Sequence, residues 1–427
     1  MNLSLPRNGR VVVIDDKIEE GLPLINALSK NGIPTTYFSG KLKELPETPL
    51  EDVRIVFLDI VLETEAQSDK TKVSTVIGVL RKIVSTENGP YILIIWSKHN
   101  ELVEAIKKKL NWNQPVLTLN LEKGKCKGEE DGFDLKMIED KLESEFGNAG
   151  IFQLFLLWEN IAHQSSGRLI NEFKSFYAYG NDWNKNLTDV FSHLADAYAG
   201  AQLDKTRKEE IVKNGLLTLN GAFIDTFENA IRQSKYSDLN IEFNDSNCIN
   251  EDICAKVNSK LLLINQLTDC SNQPGNVYLL RGGKKNGFDS SDLFNDKNKV
   301  DEILKSIKYI QLEISPTCDF SQKKWKLNRL IPGILLPTKY SNKVKDKTEY
   351  IYKSNPDFLI GKEMYKLVFD FRYFTAKCFD ELNGMKPKFR IRHELLVDIQ
   401  SHLVRHINRP GVIFMKTEKI NEKKKKN

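Results

Sequence analysis

Val11-Val12-Val13-Ile14-Asp15-Asp16 and Ile55-Val56-Phe57-Leu58-Asp59 decide how the first third of this chain folds. Each is an apolar run that stops on acid. In a parallel α/β sheet the strands are buried on both faces and read as continuous Val/Ile/Leu runs. Ligands gather outside the carboxyl ends of such strands. Asp15, Asp16 and Asp59 therefore converge on one crevice, and neither run carries a cation to balance them. A hard cation relieves that repulsion, and Mg²⁺ takes oxygen ligands from one or two carboxylates together with phosphate and water. Two further runs extend the sheet. Tyr91 to Trp96 ends in Ser97, and Pro115 to Leu121 leads into Glu122 and Lys123. Metal-binding carboxylates, a carboxylate nucleophile, a hydroxyl and an ammonium at four strand ends are the parts of a phosphoryl-transfer site.

On these residues, positions 10 to about 145 resemble the receiver (response-regulator) domain of two-component signalling. The resemblance implies a flavodoxin-like, doubly wound α/β fold with a five-stranded parallel sheet. It implies Asp59 as phosphoacceptor, with Ser97 and Lys123 holding the phosphoryl oxygens. It implies Mg²⁺ at Asp15, Asp16, Asp59 and the backbone carbonyl of Val61, and a histidine kinase as donor. The chain departs from the family pattern at Lys98, where a small residue is usual, at Gly124, where proline is usual, and at Asn120, where an aromatic switch often stands. Lys125 and Lys127 compete with Lys123 for the lysine position. Without the aromatic at 120, the fifth helix becomes the expected route of output. A polar insert, Thr64 to Thr71, lengthens the path from Asp59 to Ser97.

The rest of the chain bounds the reading. Its 427 residues exceed one ordinary domain, and 40% hydrophobic with 28% charged residues is a globular composition. The formal net charge of +5 is modest, and the Lys423–Lys426 run reads as a frayed tail. No apolar stretch reaches the roughly 18 to 20 residues of a membrane span, and no signal pattern opens the sequence. Six cysteines without a CxxC pair fit a reducing, cytoplasmic setting.

Helical periodicity marks Ile18 to Asn31, with Leu22, Ile25 and Leu28 inward, then Val73 to Val84, Glu101 to Leu110 and Asp134 to Phe146. It continues over Ile151 to His163, Arg168 to Tyr177, Leu187 to Ala199 and Thr206 to Ser234. From about 239 strands and helices mix. Strands are expected at Leu239 to Phe243, Val277 to Arg281, Tyr309 to Ile314, Arg329 to Leu336 and Lys366 to Phe371, and helices at Asp252 to Leu263 and Arg392 to His406. The expected organisation is a receiver-like domain over 1–147, a helical bundle or connector over 148–236, and an α+β output or docking domain over 237–427, with a small barrel or curled sheet.

Chemistry beyond the receiver is sparse. His163 lacks the flanks of a phosphodonor histidine. His393-Glu394 fails the HExxH pattern because Val397 stands at the fifth position. His402 and His406 share a helical face as a two-point metal grip. Cys318 beside Asp319 offers a nucleophile only if an imidazole such as His393, His402 or His406 folds against it. Arg390, Arg392, Arg405 and Arg409 form a basic C-terminal stretch. No helix-turn-helix with a basic recognition helix is present, which argues against DNA binding.

The expectation is a cytoplasmic phosphoacceptor whose C-terminal part docks or buffers. Its partners are a histidine kinase and a second receiver, an effector protein or a second copy of the chain. A receiver with a large non-DNA-binding part resembles in architecture the receivers of Detocs-type anti-phage phosphorelays. The alternatives are a receiver-regulated effector enzyme with a Cys/His site, and a scaffold that works without phosphorylation.

Overall fold

The computed structural model describes residues 10–62, 67–97, 99–123, 150–176, 182–237, 249–265, 272–280, 288–295, 299–322, 324–345, 348–378 and 385–408, with single positions between them. The chain divides into two compact units. One comprises residues 1–192 and 215–244, the other 193–214 and 245–427.

The first unit is built on an all-parallel sheet. Its strands are β1 (Arg10–Ile14), β2 (Thr35–Phe38), β3 (Val53–Leu58), β4 (Ile92–Trp96) and β5 (Leu117–Leu121), in the order β2-β1-β3-β4-β5. β4 is buried along its whole length, as a central parallel strand must be. One sheet face packs on α1 (Ile18–Lys30) through Leu24 and Leu28, and the other on α2 (Asp69–Ile83) and α3 (Val103–Lys109). Ser68 caps α2 by accepting from the Thr71 amide. α1 ends in a Schellman motif at Gly32 (φ +69°), where the Ile33 amide donates to the Leu28 carbonyl and the Gly32 amide to Ser29. Its inward face is Gly21, Leu24 and Leu28, with Ile25 at the margin. Leu22, expected inward, is exposed, because Gly21 approaches Tyr37 and Val13 and turns Leu22 outward.

The helix expected at Asp134 to Phe146 lies outside the described residues apart from isolated positions. The α1 face of the sheet is completed by α4 (Gly150–Ser175), whose Phe152 and Leu156 join its core. Arg54 on β3 clamps α4 with a two-pronged ion pair to Glu159, at 2.5 to 3.0 Å. The two helices expected on either side of Gly167 are one. Ser165 returns its hydroxyl to the Ile161 carbonyl at 2.8 Å, and Leu169 stays buried. α5 (Trp183–Ala199) ends at Gly200 (φ +65°), and α6 (Lys208–Gln233) follows. Two of the three boundaries between the units fall within these two helices. Within the first unit Trp158 of α4 meets Phe227 of α6 edge-on.

The second unit carries a nine-stranded sheet in which neighbouring strands pair antiparallel. Its central strands are β7 (Asn276–Leu279), β8 (Lys308–Glu313), β9 (Asn328–Pro337) and β12 (Glu363–Asp370), flanked by β6 (Leu263–Ile264), β10 (Ile351–Lys353) and β14 (Phe389–Ile391). Among the described residues the path β10-β12-β9-β8-β7-β14-β6 does not close on itself, a sheet rather than a barrel. β11 (Phe358–Ile360) pairs with β12, and β13 (Thr375–Lys377) with β9. α7 (Glu251–Leu262) and α10 (His393–Ile407) realise the two expected helices, with the short α8 (Val300–Ser306) and α9 (Thr317–Ser321) between them in the chain. The strand expected at Leu239 to Phe243 lies largely outside the described residues. Glu313 is buried and capped by the Ser315 hydroxyl and the amides of Ser315 and Arg329, which anchor the segment carrying Cys318. Burial pushes its carboxyl up to about 7 despite those donors. Among the described residues no helix is long and apolar enough to cross a membrane.

Candidate functional site

The register of β1 and β3 assembles the site. Ile14 lies opposite Leu58, and the Asp59 amide donates to the Ile14 carbonyl at 2.8 Å. Asp15 and Asp59 thus leave adjacent strands side by side. β5 runs beside β4, with Leu121 opposite Trp96, which brings Lys123 and Ser97 past the same end of the sheet.

Lys123 is the hub. Its ammonium lies 2.5 Å from Asp59 Oδ2, 2.6 Å from Asp15 Oδ2 and 3.1 Å from a Glu20 carboxylate oxygen. Burial pulls the lysine down, but the charges and hydrogen bonds of Asp59 and Asp15 prevail and hold it above its ordinary value. Asp15 is fully buried, and burial raises it to about 6 against the pull of Lys123. Asp16 is half-buried and also raised, by burial and then by the charge of Asp59. In Glu20 the hydrogen bonds from Lys123 and Lys17 outweigh a burial penalty and leave the carboxyl lowered.

Glu20 is the member that sequence reasoning missed. It sits in the first turn of α1, where an acid ordinarily complements the helix dipole. The signal was its position five residues after Asp15 on a helix that begins at the strand end. Val61 stays beside Asp59, its amide donating to Asp59 Oδ1 at 3.3 Å. Ser97 is buried at the end of β4, and its hydroxyl accepts from the His99 amide at 3.5 Å. Lys98, Gly124, Lys125 and Lys127 lie outside the described residues.

Oxygen ligands from Asp15, Glu20 and Asp59 lie within 4.8 Å of one another, the one such group of acids, histidines and cysteines among the described residues. Asp15 Oδ2 is buried and pairs with the Lys123 ammonium at 2.6 Å. An all-oxygen, anionic donor set fits a hard divalent cation.

The other candidates do not gather. His163 is exposed on α4. His402 Nε2 lies 3.7 Å from Asp398, and its ring stands edge-on to Tyr352, whose hydroxyl donates to Asp398 at 2.8 Å. His406 packs on Tyr350 and Phe371. No third ligand joins this pair among the described residues. Cys318 is exposed, with Asp319 at 3.8 Å and no imidazole in hydrogen-bonding reach among the described residues. His393 and Arg392 are exposed at the start of α10, Arg405 is exposed near its end, Arg390 donates to Asn276, and Arg409 lies outside the described residues.

The parallel β2-β1-β3-β4-β5 order, with acids closing β1 and β3, is consistent with a receiver domain. No protein-family model matches the chain, and no curated protein matches it. Among solved structures it is similar to an adenylate cyclase from Rhodopirellula baltica, at 15% identity over 36% of this chain and 96% of that one, with a TM-score of 0.20. It is also similar to full-length FixJ from B. japonicum, at 12% identity over 53% of this chain and 99% of that one, with a TM-score of 0.20. Likeness at that score carries no functional weight.

Proposed function

We propose that the first unit is a phosphoacceptor receiver and that Asp59 takes a phosphoryl group from a phosphohistidine on a partner histidine kinase. A carboxylate oxygen of Asp59 attacks phosphorus, the P–N bond breaks, and the imidazole leaves as an acyl phosphate forms. The observation that supports this most is the Lys123 ammonium seated between Asp59 and Asp15. It stands ready to turn from a carboxylate to a phosphoryl oxygen, while the buried Ser97 hydroxyl holds another. Asp15, Asp16, Asp59 and the Val61 carbonyl would hold Mg²⁺, which when bound neutralises phosphoryl charge. The second unit serves as a docking module for a second receiver, an effector protein or another copy of the chain. The setting that the architectural resemblance favours is an anti-phage phosphorelay in which this receiver buffers phosphoryl flow.

A Mg²⁺ titration of the full chain, read by tryptophan fluorescence, tests the site. Asp16→Ala is expected to weaken the metal about tenfold or more, and Asp319→Ala to leave it unchanged. Asp319 instead faces Arg329 at 3.6 Å. Equal losses in the two variants would place the metal elsewhere.

A further inference from the structure

The second unit holds a cavity of about 390 Å³ whose lining, among the described residues, carries cations and no acid. Lys256 and Lys260 project from α7, Lys388 precedes β14, and Asn265 and Gly361 complete the polar wall. Like charges at i,i+4 on one helix face destabilise the helix. Among the described residues none of the three ammonium groups has an acid or hydrogen-bond partner. The floor is fixed. The buried Ser259 hydroxyl accepts from the Leu359 amide and donates to the Ala255 carbonyl, each at 2.8 Å, which staples the β11–β12 hairpin to α7. Gly361 (φ +73°), in the turn of that hairpin, has nothing within 4 Å of the place a Cβ would take, so the rim stays open.

We propose that this cavity binds a small polyphosphate, a chain of two or three linked phosphates such as a nucleoside triphosphate or inorganic tripolyphosphate carries. Three converging lysines exceed what one phosphate needs, and lysine binds phosphate as a point charge. The volume suits a small ligand. Single-stranded nucleic acid calls for aromatic platforms along a basic groove, and among the described residues no aromatic lines this cavity.

The test is calorimetric titration of the full chain with sodium tripolyphosphate and, separately, with ATP, both in chelator to silence metal effects. Each probe is expected to bind at one site. Lys256→Ala combined with Lys260→Ala should weaken both about tenfold or more, and Lys388→Ala should do the same alone. These lysines are exposed, so thermal melts should stay at the wild-type value. Lys213→Ala, which removes an exposed lysine on α6, should leave binding unchanged. Equal affinities for the two probes assign the site to the phosphate chain alone, and tighter ATP assigns it to a nucleotide. Absence of binding, or the same loss in Lys213→Ala as at the cavity, overturns the proposal. So does an oligonucleotide that binds through these lysines when neither probe does.

Discussion

Lys123→Ala is expected to cost the chain about 3 to 5 kcal/mol of stability at neutral pH without metal, the scale of removing one partner from a buried ion pair. The variant leaves Asp15 and Asp59 facing each other with no cation between them, and only Lys17 still pairs with the neighbouring Glu20. Its pH dependence has a definite sign. Burial already raises Asp15 from 3.8 to about 6. The folded protein therefore keeps a proton there that the unfolded chain has lost, and stability from this group falls as pH rises from 3.8 to about 6. Without the lysine the carboxyl rises further and the falling window extends upward. Urea unfolding at pH 5 and pH 8 checks this. The variant should regain stability at the lower pH, and added Mg²⁺ should restore part of it at the higher. An unchanged midpoint at both pH values would show that Lys123 is not the hub.

Gly333→Ala should be nearly as damaging, by about 3 kcal/mol, through overpacking. Gly333 lies on β9 between Ile310 of β8 and Phe369 of β12. A methyl group there would come closer than 3.0 Å to the Val368 carbonyl oxygen and to the Phe369 ring. The carbonyl belongs to the β12 backbone, so it cannot withdraw without opening the ladder. Gly78→Ala on α2 is the contrast, since nothing lies within 4 Å of its missing Cβ. Alanine there should be neutral or gain up to about 1 kcal/mol from helix propensity. Matching unfolding midpoints for the two variants would contradict the packing drawn for β9.

Sequence patterns reveal most where burial is two-sided. β1, β3 and β4 carry continuous apolar runs because inner parallel strands are covered on both faces, whereas β5, at the sheet edge, alternates and leaves Asn120 exposed. Asp15, Asp59, Ser97 and Lys123 are legible because they stand at or just past the ends of those runs. Glu20 is hidden because a first-turn acid needs no site to explain it. α4 reads as two helices in the sequence because Ser165, Ser166 and Gly167 look like a break. The Ser165 hydroxyl returns to its own helix, and buried Leu169 carries the packing face onward. In the second unit β10, β11, β13 and β14 have three residues each, too few to show an alternation. Their pairing to β12, β9 and β7 is decided by tertiary contacts. The lysine-lined cavity is equally unreadable, since Lys388 lies far along the chain from α7.

That Asp59 accepts a phosphoryl group is tested most directly by the intact mass of the full chain after incubation with acetyl phosphate. The measurement is made with and without Mg²⁺, for the wild type and for Asp59→Asn. The wild type should gain the mass of one phosphoryl group only when Mg²⁺ is present, and Asp59→Asn should gain none. No gain in the wild type, or an equal gain in Asp59→Asn, would contradict the phosphoacceptor reading.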